Sequence, residues 1–223
     1  MSDTDSFIDE VTEEVRRDRL FGTLKRYGWI GGLAVVLIVG GASLREYNKA
    51  QELAASQKLG DDMIAALSSD DDLQRADALS KISAQTPGGA AVLAMLQAGA
   101  LADAGQQDEA VARLQAVALD AELPLIYRHI ASFKALGMQQ DSLSIAERRL
   151  QFEALAQPGA PLALLAAEQM ALLDIEAGDP DAAIDRLKAI IQDAGVTADL
   201  KERATQVMVA LGGELDTVVV FDG

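Results

Sequence analysis

The stretch Gly105-Gln-Gln-Asp-Glu-Ala-Val-Ala-Arg-Leu114 returns 73 residues later as Gly178-Asp-Pro-Asp-Ala-Ala-Ile-Asp-Arg-Leu187. Gly, Asp, Ala, Arg and Leu stand at equal offsets, and Val111 is matched by Ile184. The faces that follow agree too, with Val117 and Ala118 standing where the second copy has Ile190 and Ile191. The spacing is close to two units of a repeat of about 34 residues with a small insertion. Gly105 and Gly178 suit a tight bend between paired helices, small Ala110 and Ala183 let the second helix approach the first, and Leu114 and Leu187 plug the gap between them. A hairpin of that size cannot bury its own apolar face, so it must pack on neighbouring hairpins. The fold predicted is all-α, with a tetratricopeptide-repeat-like (TPR-like) helical-hairpin solenoid over 68–213. A plain helical bundle is the alternative, and recurrence of the same Arg and Asp favours the solenoid. The pair between these copies, around Leu136-Gly137 to Leu155, carries no clear bend-plus-alanine signature.

Working outward, the apolar spacing predicts helices over Leu73–Ser83, Ala90–Ala104, Asp108–Leu119, Pro124–Leu136, Asp141–Gln157, Pro161–Ala177, Pro180–Asp193 and Ala198–Leu211. Ser68-Ser69-Asp70-Asp71-Asp72 reads as a turn and cap, and Thr86-Pro87-Gly88-Gly89 as a breaker. Pro124, Pro161 and Pro180 are placed in first turns, where a missing N–H costs nothing. The last helix, with Lys201, Glu202, Arg203 and Gln206 on its polar side, suits a terminal cap. Only Val218-Val219-Val220-Phe221, in the tail 214–223, has strand character.

Toward the N-terminus, 45–67 carries Leu53, Leu59, Met63, Ile64 and Leu67 at three- or four-residue spacing and reads as a helical stalk. Before it lies Gly28-Trp-Ile-Gly-Gly-Leu-Ala-Val-Val-Leu-Ile-Val-Gly-Gly-Ala-Ser-Leu44, 17 residues without a charge. At about 1.5 Å per residue such a helix falls a little short of a hydrocarbon core of about 30 Å. Tyr27, Trp29 and Tyr47 suit the interface, and Lys25, Arg26 and Arg45 can snorkel. The run is therefore expected to be a transmembrane helix. A buried core helix is disfavoured by five glycines in the run, each costing about 1 kcal/mol in a soluble helix. A cleaved signal peptide is disfavoured by the long charged lead and by Leu44-Arg45-Glu46 after the run. Gly28 and Gly32 form a small-xxx-small pair suited to packing against another membrane helix. Five basic residues (Arg16, Arg17, Arg19, Lys25, Arg26) precede the run and three (Arg45, Lys49, Lys58) follow it. That bias puts 1–27 in the cytoplasm and residues 45–223 on the far side, a bacterial periplasm. Phe7, Ile8, Val11 and Val15 share a helical face, and an amphipathic helix and a tail ordered only beside a partner both stay open there.

Composition narrows the function. Residues 45–223 hold 14 basic and 28 acidic residues, a formal charge of −14, which repels phosphate backbones and anionic headgroups, so nucleic-acid binding is discounted. The chain has no cysteine, which removes disulfides, thiol catalysis, thiolate metal sites and acyl-cysteine anchors. His129 is the sole histidine and reads as a satisfied helix residue rather than a ligand or base. Asp70-Asp71-Asp72 lacks the alternating ligands and closing Glu of a calcium loop. The glycine pairs at 88–89 and 212–213 lack the Lys-Ser/Thr of a phosphate loop and read as linkers. Acidic residues on the helices read as solvated faces. No catalytic, cofactor or metal site is expected.

A charged lead ending in Lys25-Arg26-Tyr27-Gly28-Trp29, one span, a stalk and an Ala/Leu-rich repeat domain together resemble the YfgM-like family, ancillary subunits of the SecYEG translocon in bacterial inner membranes. The likeness covers nearly the whole chain from Arg16 on. It implies a periplasmic adaptor beside SecYEG that works with a PpiD-like membrane-anchored chaperone and hands unfolded periplasmic clients to other chaperones. Two other readings stand beside it: a scaffold or assembly factor for another inner-membrane complex, in cytochrome maturation or respiration, and, more remotely, a periplasmic enzyme or solute-binding subunit.

Overall fold

The computed structural model describes the backbone of residues 3–214, with side chains described from Trp29 onward except at positions 31 and 35. The N-terminal face of Phe7, Ile8, Val11 and Val15 and the strand-like Val218–Phe221 lie outside these limits. Every regular element among the described residues is an α-helix: α1 (Asp3–Leu67), α2 (Asp72–Ser80), α3 (Pro87–Asp103), α4 (Gln107–Leu119), α5 (Leu125–Met138), α6 (Ile145–Leu155), α7 (Ala163–Glu176), α8 (Pro180–Gln192) and α9 (Ala198–Ala210). The chain divides into two compact units, Met1–Gln57 and Lys58–Gly223.

In the first unit, α1 runs without interruption through the expected span and into the stalk as far as Gln57. Trp29, Ile30, Leu33, Val36, Leu37, Ile38, Val39 and Leu44 are all exposed. Among the described residues no helix is long and apolar enough to cross a membrane. Gly32, Gly40 and Gly41 have nothing within 4 Å of a Cβ.

The second unit is built of helices packed on their chain neighbours. Pairs α3–α4, α4–α5 and α7–α8 pack most closely, α2–α3, α6–α7 and α8–α9 less so, and α5–α6 only loosely. One core cluster joins the last turns of α1 (Met63, Ala66) to α2, α3, α4 and α5, with Leu79, Ala98, Leu114 and Ala131 sealed from solvent. A second joins Leu136 of α5 to Phe152 and Leu155 of α6 and to Ala166, Met170 and Leu173 of α7. Phe133 meets Phe152 edge-on there, centroids 5.7 Å apart. A third joins Ala171 of α7, Leu187 and Ile190 of α8, and Leu200, Ala204 and Met208 of α9.

The repeated stretches have the same local geometry. Gly105 and Gly178 both have φ +78°, a left-handed conformation open to glycine at little cost. Each closes the same helix-ending pair of hydrogen bonds. Gln106 N–H donates to Leu101 C=O (2.8 Å) and Gly105 N–H to Ala102 C=O (2.9 Å), while Asp179 N–H donates to Asp174 C=O (2.9 Å) and Gly178 N–H to Ile175 C=O (3.0 Å). This is the Schellman arrangement, which satisfies carbonyls a helix end leaves orphaned. Past each bend, Ala110 and Ala183, then Leu114 and Leu187, have no exposed surface.

Helix starts are where the sequence reading needs correction. Thr86-Pro87-Gly88-Gly89 is not a breaker but the start of α3: Thr86 Oγ1 accepts from Gly89 N–H at 3.1 Å, and Pro87 occupies the first turn. A Cβ at Gly89 would lie 2.9 Å from Leu59 Cδ2, so this glycine lets α1 close on α3 rather than acting as a linker. Pro180 does stand in a first turn, but Pro124 is the residue before α5 and Pro161 precedes the cap of α7. Helix α6 begins at Ile145 rather than Asp141. Ser144 and Glu147 form a reciprocal capping box there, fixing the boundary. Asp71 caps α2 by accepting from Gln74 N–H.

Candidate functional site

An open groove of about 410 Å³ lies among α1, α2, α3 and α5 in the second unit. Its apolar lining is Leu67 from α1, Val92, Met95 and Leu96 from α3, and Ile130 from α5. Gly99 and Ala100 keep the α3 wall low. Three charges line it: Asp103, Arg75 and Lys134. Arg75 is already engaged, donating to Ser69 C=O at 2.9 Å and pairing with Asp72, with Asp103 at 3.8 Å. Lys134 pairs with no carboxylate among the described residues. Among the described residues the groove is thus an apolar trough carrying one cation without a carboxylate partner, on a strongly acidic body.

A smaller cleft of about 270 Å³ lies between α2, α3 and α4. Arg113 crosses it, donating to Gln97 Oε1 at 2.7 Å, and Gln97 donates onward to Leu79 C=O at 2.8 Å. The matched arginine of the second copy, Arg186, also reaches back to the preceding helix, but its acceptor is Asp174 on α7. The repeated Arg therefore ties each hairpin together in both copies, through a neutral acceptor in one and a carboxylate in the other.

Acidic residues read as solvated faces need correction at two positions. Asp174 is 3% exposed, its Oδ1 in an ion pair with Arg149 Nη1 at 2.6 Å and its Oδ2 accepting from Arg186 Nε at 2.9 Å. Glu168 is 9% exposed and accepts two bonds from Arg203, at 3.0 and 2.8 Å. With Arg148 Nη2 on Glu176 at 2.5 Å, these pairs bind α6, α7, α8 and α9 together. Glu168 holds the Arg203 guanidinium above its ordinary pKa, chiefly by hydrogen bonding. On α6, the Ser144 hydroxyl and then its backbone N–H hold Glu147 below the usual carboxylate value.

His129 departs from its expected role. Its Nδ1 is buried without a hydrogen-bond partner among the described residues, as is the Nε of neighbouring Arg128. Burial, and then the Arg128 charge, lower the imidazole pKa from 6.5, so the ring is held toward its neutral form. Among the described residues no group of three or more His, Asp or Glu is placed to hold a metal ion.

The expected site residues thus fall into two sets. Gly105, Ala110, Leu114, Gly178, Ala183 and Leu187 form two equivalent bends and cores. Gly28 lies outside the described side chains, and Gly32 is exposed with nothing near its Cα face. No family model, curated protein or solved structure matches the chain. The groove residues were missed in the sequence because Val92, Leu96 and Ile130 are indistinguishable there from core positions. Helical spacing marks an apolar face without saying whether a neighbour covers it.

Proposed function

We propose that the chain is a single-span bacterial inner-membrane protein whose TPR-like helical-hairpin solenoid serves as a scaffold or adaptor, working beside SecYEG and linking it to periplasmic chaperones. Residues 28–44 form the span, with 1–27 cytoplasmic and 45–223 periplasmic. The partners are SecYEG, a PpiD-like chaperone and unfolded periplasmic clients. The observation that carries the reading is the circumference of α1. Four consecutive apolar residues, Val36 to Val39, are each between 57% and 71% exposed. At about 100° per residue, four in a row cover every side of a helix, and a helix apolar all round needs an apolar surrounding. The whole run from Gly28 to Leu44 carries no charge. The resemblance to YfgM-like proteins and the open groove support the adaptor role.

Alkaline extraction of membranes tests the anchor: the chain is expected to stay in the pellet, and release into the supernatant refutes the span. Protease added to spheroplasts is expected to degrade residues after 45, and their protection reverses the topology. Crosslinking in membranes is expected to recover SecYEG or a PpiD-like chaperone. Exclusive recovery of a respiratory or cytochrome-maturation complex replaces the translocon role with the assembly role.

A further inference from the structure

We infer that the cleft between α2, α3 and α4 is a docking site for a side-chain carboxylate of a partner polypeptide, received by Arg113, with the partner's apolar neighbours set against Leu73 and Leu101. The cleft shares no lining residue with the groove among α1, α2, α3 and α5, and the inference rests neither on the adaptor reading nor on the anchor.

The second half of the unit supplies the template. The 73-residue offset of the repeated stretches extends to the helices around them: α4 and α8 match end to end, α2 and α6 begin, α3 and α7 end, and α5 and α9 begin at that same separation. Side-chain pairing keeps the register, since Arg75 with Asp103 stands where Arg148 with Glu176 does. The cleft at α2, α3 and α4 therefore has a counterpart at α6, α7 and α8. There Arg149 of α6 and Arg186 of α8 close on the buried carboxylate of Asp174.

Two differences open the first copy. Arg149 is matched by Ala76, and Asp174 by Leu101. Without the long side chain on α2, a space of about 270 Å³ stays unfilled beside Ala76, Leu101 and Arg113. Without the carboxylate, Arg113 has no ion pair among the described residues. Its one hydrogen bond there runs from Nη1 to Gln97, which stands where the second copy has Met170. Gln97 is buried and tied to Leu79 C=O, so it braces the guanidinium without neutralising it. Among the donors left over is Nε, the atom through which Arg186 holds Asp174. A braced guanidinium with donors to spare matches a carboxylate in both charge and geometry.

The walls define what comes with that carboxylate. The one acidic residue lining the cleft, Asp77, is met by Lys81 at 2.6 Å, so Arg113 sets the sign. Leu73, 56% exposed, and Leu101 offer apolar contact. A body of formal charge −14 over residues 45–223 repels an acidic run at longer range, which selects a single carboxylate between apolar residues. The cleft is open, whereas sites for free small molecules bury most of their ligand. The contact lacking here is what the flanking residues of a polypeptide supply.

The test uses the full chain in nanodiscs with arginine labelled by nitrogen-15. The probe is the tripeptide leucyl-aspartyl-leucine, acetylated and amidated, against the same peptide with asparagine at its centre. The Arg113 Nε–H resonance is expected to shift saturably with the aspartyl peptide, and the asparaginyl peptide to bind about fivefold more weakly, the upper range for a partly exposed ion pair. Isovalerate, a free small carboxylate, is expected to bind more weakly than the aspartyl peptide. By saturation transfer to the peptide methyl groups, Arg113→Gln is expected to lose the preference for aspartate, and Lys201→Gln, the same charge change on α9, to keep it. Leu101→Asp restores the carboxylate of the second copy and is expected to abolish the preference from within, its thermal melt showing that it is folded. Equal binding of the two peptides, isovalerate binding as tightly as the peptide, or a preference for aspartate that survives Arg113→Gln overturns the proposal.

Discussion

Replacing Asp174 by alanine tests the claim that ion pairing ties the C-terminal helices of the second unit together. The carboxylate is almost sealed from solvent, ion-pairs with Arg149 of α6 and accepts a hydrogen bond from Arg186 of α8. Its removal leaves two guanidinium groups facing each other across a vacated site, with side chains 29% and 30% exposed. Breaking one side of a buried pair costs about 3–5 kcal/mol. The partial exposure of both arginines lets water recover part of that, so about 3 kcal/mol is expected. For a domain of this size that is a fall in Tm of about 6–12 °C, read by far-UV circular dichroism. Asp103→Ala is the matched control. Its carboxylate is 66% exposed and 3.8 Å from Arg75, and a loss under about 1 kcal/mol is expected. Hydrogen exchange should place the loosening of Asp174→Ala in α6–α8, with α3 and α4 unchanged. Equal melting of the two variants, or loosening spread evenly through the unit, refutes the reasoning.

Leu114→Ala and Leu187→Ala each empty a fully buried position and are expected to cost about 3 kcal/mol, measured by urea denaturation. Gly105→Ala and Gly178→Ala force a side chain into a left-handed backbone at φ +78°, costing about 1–2 kcal/mol. Gly60→Ala, in open space on a helix, is expected instead to raise Tm by the equivalent of about 0.5–1 kcal/mol. His129 contributes a pH dependence. Its native pKa lies below the unfolded value of 6.5, so the unfolded chain takes up its proton first and stability falls as pH drops below that value. A His129→Gln variant should flatten that decline, followed as Tm against pH.

The bends and cores were legible in the sequence because each depends on a local coincidence of residue types. Glycine before a helix, alanine five residues on and leucine four after that describe a single hairpin, and Gly105-to-Leu114 and Gly178-to-Leu187 fold as such. The burial of Asp174 and Glu168 was hidden because their partners lie on other helices: Arg149 is 25 positions before Asp174, and Arg203 is 35 after Glu168. Taken alone, an acidic residue on an amphipathic helix looks solvated. Helix starts were misread for a different reason. Thr86-Pro87 satisfies the rules for a stop and for a cap followed by a first-turn proline, and the bond from Gly89 N–H to the Thr86 hydroxyl shows that the cap is what forms. Ser144-x-x-Glu147 is a start signal visible in the sequence, outweighed in the reading by the apolar spacing before it.

Each bend of the repeated kind is completed by hydrogen bonds drawn from its own last turn, with no donor or acceptor borrowed from elsewhere. A hairpin unit of this sort is a self-contained brick. Duplicating or deleting one in frame disturbs only the faces it shares with its two neighbours, so the number of courses is a quantity evolution can adjust without redesigning the joints.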